Sequence, residues 1–196
     1  MGKIILMMYV TLCPTILAGI CNMIFCKLSI FSKLKYPMDF NKNFIDGKRI
    51  FGDNKTWKGL VGYIILNIVF SIIWGLICNS CNLNRLNYFY LERSNTLLYS
   101  ILVGLLLGLG YSLFELPNSF LKRRLNIKEG KNPEGLKRVF FIFLDQADSI
   151  FGCALVVWLF YNIGLKIYIG FILVGAFTHI IINMMLYFLH LRKNMF

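Results

Sequence analysis

Five long apolar runs, near residues 4–26, 60–79, 97–116, 139–161 and 166–190, leave this 196-residue chain little freedom in how it folds. About 20 apolar residues in a helix cross roughly 30 Å, the hydrocarbon thickness of a bilayer. Inside lipid every backbone N–H and C=O must find a partner within the protein, and a helix supplies one for nearly all of them. The sequence therefore predicts an all-α integral membrane protein. It is read as a single polytopic domain over 1–196 with five transmembrane helices and no room for a soluble domain. Charged residues make up 15%, against about 25% in ordinary globular domains. The first run exceeds the apolar region of a secretory signal and ends at Cys26–Lys27 without a small-residue cleavage site, so it is expected to stay as a span.

The cations are unevenly placed. The 27–59 loop carries eight Lys or Arg and the 117–138 loop seven, whereas the 80–96 loop has only Arg85 and Arg93. The positive-inside rule puts both rich loops in the cytoplasm. Alternation then places the N-terminus outside and the C-terminus, with Arg192 and Lys193, in the cytoplasm. The net charge of +12 sits in short loops bounded by lipid, which offers nucleic acid no groove. Cys78 and Cys81 form a lone C-x-x-C, which is half a zinc site without a partner pair. The other cysteines are expected to pack as small apolar side chains.

Two acids inside the fourth run, Asp145 and Asp148, carry the most information. Two aspartates at the centre of a span cost about 5–7 kcal/mol to insert. The thirteen Val, Ile, Leu and Phe residues of the same run return about 6.5 kcal/mol at roughly 0.5 each. The segment breaks even and spans only if the acids are sheltered. At i and i+3 they share a helix face. Two full charges about 5 Å apart repel by about 3 kcal/mol at an effective dielectric near 20. A proton on one of them, or a cation between them, removes that repulsion. Oxygen donors without His or Cys suit Mg²⁺, which uses one or two carboxylates plus substrate phosphates. Pairing with loop cations, or a place in an ion-coupled carrier, are the other uses of such acids.

Cations beside a cation site make sense if the ligand is a polyanion that brings a metal with it. A nucleoside triphosphate with Mg²⁺ fits. An anionic lipid surface explains some of the charge, but not the glycines and acids of "DGKRIFGDNKTWKG", residues 46–59. Glycines there permit close approach of backbone N–H groups to phosphate, and Trp57 is read as an interface anchor. Glu115, before Pro117, is read either as a third site acid or as a partner of Lys122 or Arg123. Gly104 and Gly108 are expected to form a packing face.

Ser119, Leu121, Lys122, Arg123, Lys128 and an acid, Glu129, followed by Asp145 and Asp148, resemble the signature of the CTP-dependent phospholipid cytidylyltransferases. "GDNKTWKG", residues 52–59, is similar to the motif that follows the first span in the CDP-archaeol synthase branch. Phosphatidate cytidylyltransferases usually carry a His-Gly-Gly and an Asp-Arg-x-x-Asp. Here the tripeptide is missing, Gln146 stands in place of the Arg and Glu129 in place of an Asp, which favours the archaeol-type branch.

The resemblance implies that CTP and a lipid phosphate, of archaetidic or phosphatidic type, give a CDP-lipid and diphosphate with Mg²⁺. It implies metal binding by Asp145 and Asp148, and catalytic roles for these with Lys122, Arg123 and Lys128. Substrate contacts are expected from Asp46, Asp53, Lys55, Thr56, Lys58, Ser119, Arg124 and Glu129. A homodimer in the cell membrane is the assembly the resemblance suggests. A CTP-dependent polyprenol kinase, a membrane transporter and a lipid-binding scaffold remain the alternatives.

Overall fold

The computed structural model describes residues 1–131, 133 and 135–190. Arg192 and Lys193 lie outside the described residues. Five helices carry the five apolar runs: α1 (Gly2–Lys27), α2 (Trp57–Ser80), α3 (Leu97–Arg124), α4 (Leu136–Phe160) and α5 (Gly164–Phe188). Each is long and apolar enough to cross a membrane. Two start on a hydroxyl cap. Gly59 N donates to Thr56 Oγ1 at 3.1 Å, and Tyr99 N donates to Thr96 Oγ1 at 3.2 Å, which pairs N–H groups a helix start leaves orphaned.

One boundary differs from expectation in a way that matters. The segment from residue 117, read as the start of a loop, is helical to Arg124. Pro117 removes one backbone donor from the ladder and does not end the helix. Lys122, Arg123 and Arg124 fill the last turn, where cations favour the negative end of the helix dipole. The basic cluster is thus mounted on a rigid helix that rises out of the bundle.

Helix α3 lies between α2 and α4, with α1 outside α2 and α5 outside α4. Lipid supplies little hydrophobic drive between helices, so close packing and internal hydrogen bonds must hold them. A Cβ on Gly104 would sit 2.6 Å from Ile68 Cα, and one on Gly152 would sit 2.1 Å from the Gly110 carbonyl oxygen. These glycines set how near α3 comes to α2 and α4. Tyr63 donates to the Thr15 carbonyl at 3.0 Å and Trp74 Nε1 to the Val10 carbonyl at 2.7 Å, tying α2 to α1.

The two ends of the bundle are built differently. At one end, residues 81–96 fold into two 3-10 turns that bury Tyr88, Phe89 and Tyr90 among the helices. Cys78 is buried, Cys81 is exposed, and the six cysteines are free thiols. At the other end, the long 28–56 segment, the basic end of α3 and the start of α4 converge.

Candidate active site

The 28–56 segment is organised around one acid that sequence reading passed over. Asp39, 4% exposed, accepts from Arg49 Nε and Nη2 at 3.1 and 2.8 Å. It also accepts from the backbone N–H groups of Phe51 and Gly52, at 3.1 and 3.0 Å, and of Asn41, at 3.1 Å. Burial alone would raise its pKa. The Arg49 guanidinium and the three backbone donors outweigh that and hold it at about 2. Arg49 reaches Asp53 as well, at 2.9 Å, so Asp53 is engaged within the same clasp.

The clasp is pinned to α3 through Arg124. Its Nη2 donates to the carbonyls of Lys48 and Arg49, Lys48 Nζ donates back to the Arg124 carbonyl at 2.7 Å, and Asp46 lies 2.9 Å from Arg124 Nε. Asp46 and Arg124, both expected at the substrate, here join the two basic segments to each other.

Below this lies the acid pair. Asp145 and Asp148 face α3, as the i, i+3 spacing requires. The place between them is taken by an amide. Asn118 Nδ2 donates to Asp145 Oδ1 and to Asp148 Oδ2, each at 2.7 Å. Lys122, one helical turn further along α3, donates to Asp145 Oδ2 at 2.5 Å. The Ser149 N–H donates to Asp148 Oδ1 at 2.7 Å. Asn118 was not picked out from sequence, since one Asn before Ser119 carries no pattern; the i, i+4 step to Lys122 on an unbroken α3 was the available signal.

A second lysine meets a second acid nearby. Lys55, just before α2, donates to Glu115 Oε2 on α3. Glu115 therefore pairs with Lys55 rather than with Lys122 or Arg123. Burial alone would lower the Lys55 pKa, but the Glu115 charge and hydrogen bond, with Asp148 and Asp145 beyond, carry it above the ordinary lysine value. Lys55, Glu115 and Asp145 all line one cavity of about 630 Å³. It descends between α1, α2, α3 and α5 to Tyr63, Tyr111 and His179. Tyr63 and Tyr111 stack with centroids 4.0 Å apart, and His179 meets the Tyr111 ring at 5.8 Å. This aromatic floor was not anticipated, because its members come from three separate spans.

The remaining expected residues divide. Arg123 lies 3.6 Å from Glu129, and its buried Nε has no hydrogen-bond partner. Glu129 packs so closely on Gly52, at φ +106°, that a Cβ there would meet its Oε1 at 2.2 Å. The glycine thus lets Glu129 dock on the clasp. Thr56 caps α2. Lys58 is 1% exposed, donates to the Leu28 carbonyl at 2.6 Å and lies 4.9 Å over the Phe25 ring, so it closes the end of α1. Lys128 is exposed and Ser119 half-buried. The Trp57 ring packs against Phe40 in a tilted contact, with centroids 5.9 Å apart. Gln146, where the related signature has Arg, accepts from Asn183 of α5 at 2.6 Å.

Among the described residues no three His, Cys, Asp or Glu side chains cluster as a complete metal cage. Asp145 and Asp148 offer carboxylate oxygens alone, held together here through the Asn118 amide N–H groups. Such a set suits a hard divalent ion that takes its other ligands from water and phosphate.

Fold and site define a class: a multi-pass membrane protein with lysines, an arginine and paired carboxylates gathered at one end of its bundle, as phosphate chemistry beside a bilayer requires. A family model described as CarS-like, CDP-archaeol synthase, matches residues 1–196, and the chain belongs to this family. CDP-archaeol synthases are cytidylyltransferases, and the chain is accordingly a membrane nucleotidyltransferase. It is 30% identical over 156 residues to the CDP-archaeol synthase of Methanocaldococcus jannaschii, covering 80% of this chain and 81% of that one. To the CDP-archaeol synthase of Thermofilum pendens it is 28% identical over 184 residues, covering 91% and 75%. A solved intramembrane enzyme for archaeal membrane lipids biosynthesis shares the fold, with TM-score 0.61, 20% identity, and coverage of 90% of this chain and 92% of that one.

Proposed function

We propose that the chain transfers the cytidylyl group of CTP to an archaeol-type lipid phosphate, releasing diphosphate, with Mg²⁺ held by Asp145 and Asp148. The observation that carries this reading is a cavity lined by Lys55, Glu115 and Asp145, with Lys122 bound to Asp145 and Asp148 joined to it through Asn118. Membership of the CDP-archaeol synthase family supports the choice of nucleotide and lipid. The crowding of cations at this end of the bundle supports a cytoplasmic face for the site.

In this reading an oxygen of the lipid phosphate attacks the α-phosphorus of CTP. The bond from that phosphorus to the β-phosphate bridging oxygen breaks, and diphosphate leaves with its electron pair. A phosphate monoester has its second pKa near 6, so the nucleophile is already anionic at neutral pH and no strong general base is required. What remains is positioning and neutralisation of charge. Lys122 and Lys55 lie where they can take phosphate oxygens, and Arg123 has donor capacity in reserve. Asn118 spaces the two carboxylates. When bound, Mg²⁺ supplies positive charge to the phosphates that the two lysines alone do not offset.

The test is product analysis with α-labelled CTP, Mg²⁺ and purified protein. Label should move into CDP-lipid with an isoprenoid ether lipid phosphate, and more slowly with a diacyl one. Release of labelled CDP with phosphorylated lipid would instead make it a kinase. Transport of substrate across vesicles without CTP turnover would remove the enzymatic reading altogether.

A further inference from the structure

Glu115 has no role in the mechanism above, yet it occupies the wall of the reaction cavity and holds one of the two lysines nearest the acid pair. The two lysine–acid pairs differ. Lys122 is bound to Asp145, a carboxylate that a divalent ion at the acid pair would engage. That ion would release Lys122 to a phosphate. Asn118 joins Asp145 to Asp148, whereas Glu115 is held by Lys55, so an ion seated on the two aspartates leaves the Glu115–Lys55 pair in place. The Glu115 charge stays, and Lys55 stays beside it.

We propose that Glu115 is a positioning residue that parks Lys55 and keeps a fixed negative charge on the cavity wall, so that a polyphosphate is admitted only in company with a divalent cation. A bare triphosphate in the cavity meets two carboxylates, Glu115 and Asp145, each already paired with a lysine, with Asp148 buried behind Asp145. To use either lysine it must strip a carboxylate of its partner in a partly buried site, where an unpaired charge is costly. With the cation, the aspartates are satisfied, Lys122 is freed, and Lys55 bridges Glu115 and phosphate with its three N–H donors. Linkage makes the effect reciprocal: whatever factor the cation adds to polyphosphate affinity, polyphosphate adds to cation affinity.

This inference rests on the proposed phosphate-binding role of the site but not on the identity of the nucleoside, so inorganic triphosphate is the probe and CTP the comparison. Binding is measured calorimetrically in detergent, with Mg²⁺ and with a chelator. Wild type should bind triphosphate at least tenfold more weakly without the metal. Equal affinities would overturn the proposal without any variant being made. Glu115→Gln keeps the shape and removes the charge. It should tighten metal-free binding about tenfold and leave binding with Mg²⁺ within about threefold. The gain should vanish in the double variant Glu115→Gln with Lys55→Met, as the coupling of contacting residues requires. A folded Glu115→Gln protein with no metal-free gain, or a gain that survives loss of Lys55, would refute the assignment. If triphosphate behaves as expected but CTP does not bind, the cytidylyl reading fails and the role of Glu115 stands.

Discussion

Two groups of aspartates at this end of the protein do opposite things. Asp39 is enclosed by an arginine fork and three backbone N–H groups, and its oxygens have the donors they need. Asp145 and Asp148 each accept two hydrogen bonds, one donor to each oxygen, from the shared Asn118 amide, from Lys122 and from the Ser149 N–H, and near them lie buried polar atoms without partners: Asn118 Oδ1, Ser149 Oγ and Arg123 Nε. A fully satisfied acid is finished as structure and has nothing left to offer a ligand. A carboxylate pair with a single donor on each oxygen retains lone pairs for a cation. The number of donors on each oxygen, two or three for Asp39 against one for the pair, separates scaffold from site here.

The contrast breaks if either group behaves like the other. The largest effect is expected from Asp148→Asn, which should cut label transfer from CTP by at least about 100-fold, the scale set by removal of one preorganised electrostatic group. The protein should keep its helical circular dichroism and melting temperature. Next, Asp39→Ala should destabilise the 28–56 segment by about 3 kcal/mol, since it leaves Arg49 and buried N–H groups unpaired. Limited proteolysis would detect this as faster cleavage in that segment. Asn118→Leu removes the spacer from between two carboxylates and should weaken Mn²⁺ binding about tenfold in spectroscopic titration. Asn118→Asp, which adds a third carboxylate oxygen pair, should restore much of it. Unchanged affinity in both variants would remove Asn118 from the site.

Smaller effects follow for the residues drawn into packing. Lys58→Met should lower thermal stability while KM for CTP stays within about twofold; a large rise in KM would return Lys58 to the phosphate site. For Asp39 the pH dependence has a defined sign. Its pKa falls from 3.8 to about 2 in the folded protein, so its contribution is complete above pH 3.8 and is lost as pH drops toward 2. The difference corresponds to about 2 kcal/mol at 1.36 kcal/mol per unit. Hydrogen exchange in the 28–56 segment should stay slow at pH 5 and accelerate only below pH 4.

The architecture was legible in the sequence because length and apolarity alone decide a membrane span. So was the shared face of Asp145 and Asp148, which follows from helical spacing. The end of α3 was misread for a physical reason. Pro117 and the charges after it look like a loop, but one missing donor does not stop a helix whose last-turn cations favour its carbonyl end. Partners were harder. The pairing of Glu115 with Lys55 joins residues sixty positions apart, and no local pattern encodes it. Asp39 lies outside every motif, and its importance appears only when the backbone of residues 41–52 folds around it. Thr56, Lys58 and Arg124 carry the right chemistry for phosphate, yet each has a structural partner nearer at hand.

Divalent-ion affinity separates the two groups of acids most directly. Mn²⁺ titration of wild type, Asp148→Asn and Asp39→Asn, each checked for folding, should give tight binding, loss of binding and retained binding in that order. Retained Mn²⁺ affinity in a folded Asp148→Asn protein, together with wild-type transfer of label from CTP to lipid, would contradict the assignment of the acid pair.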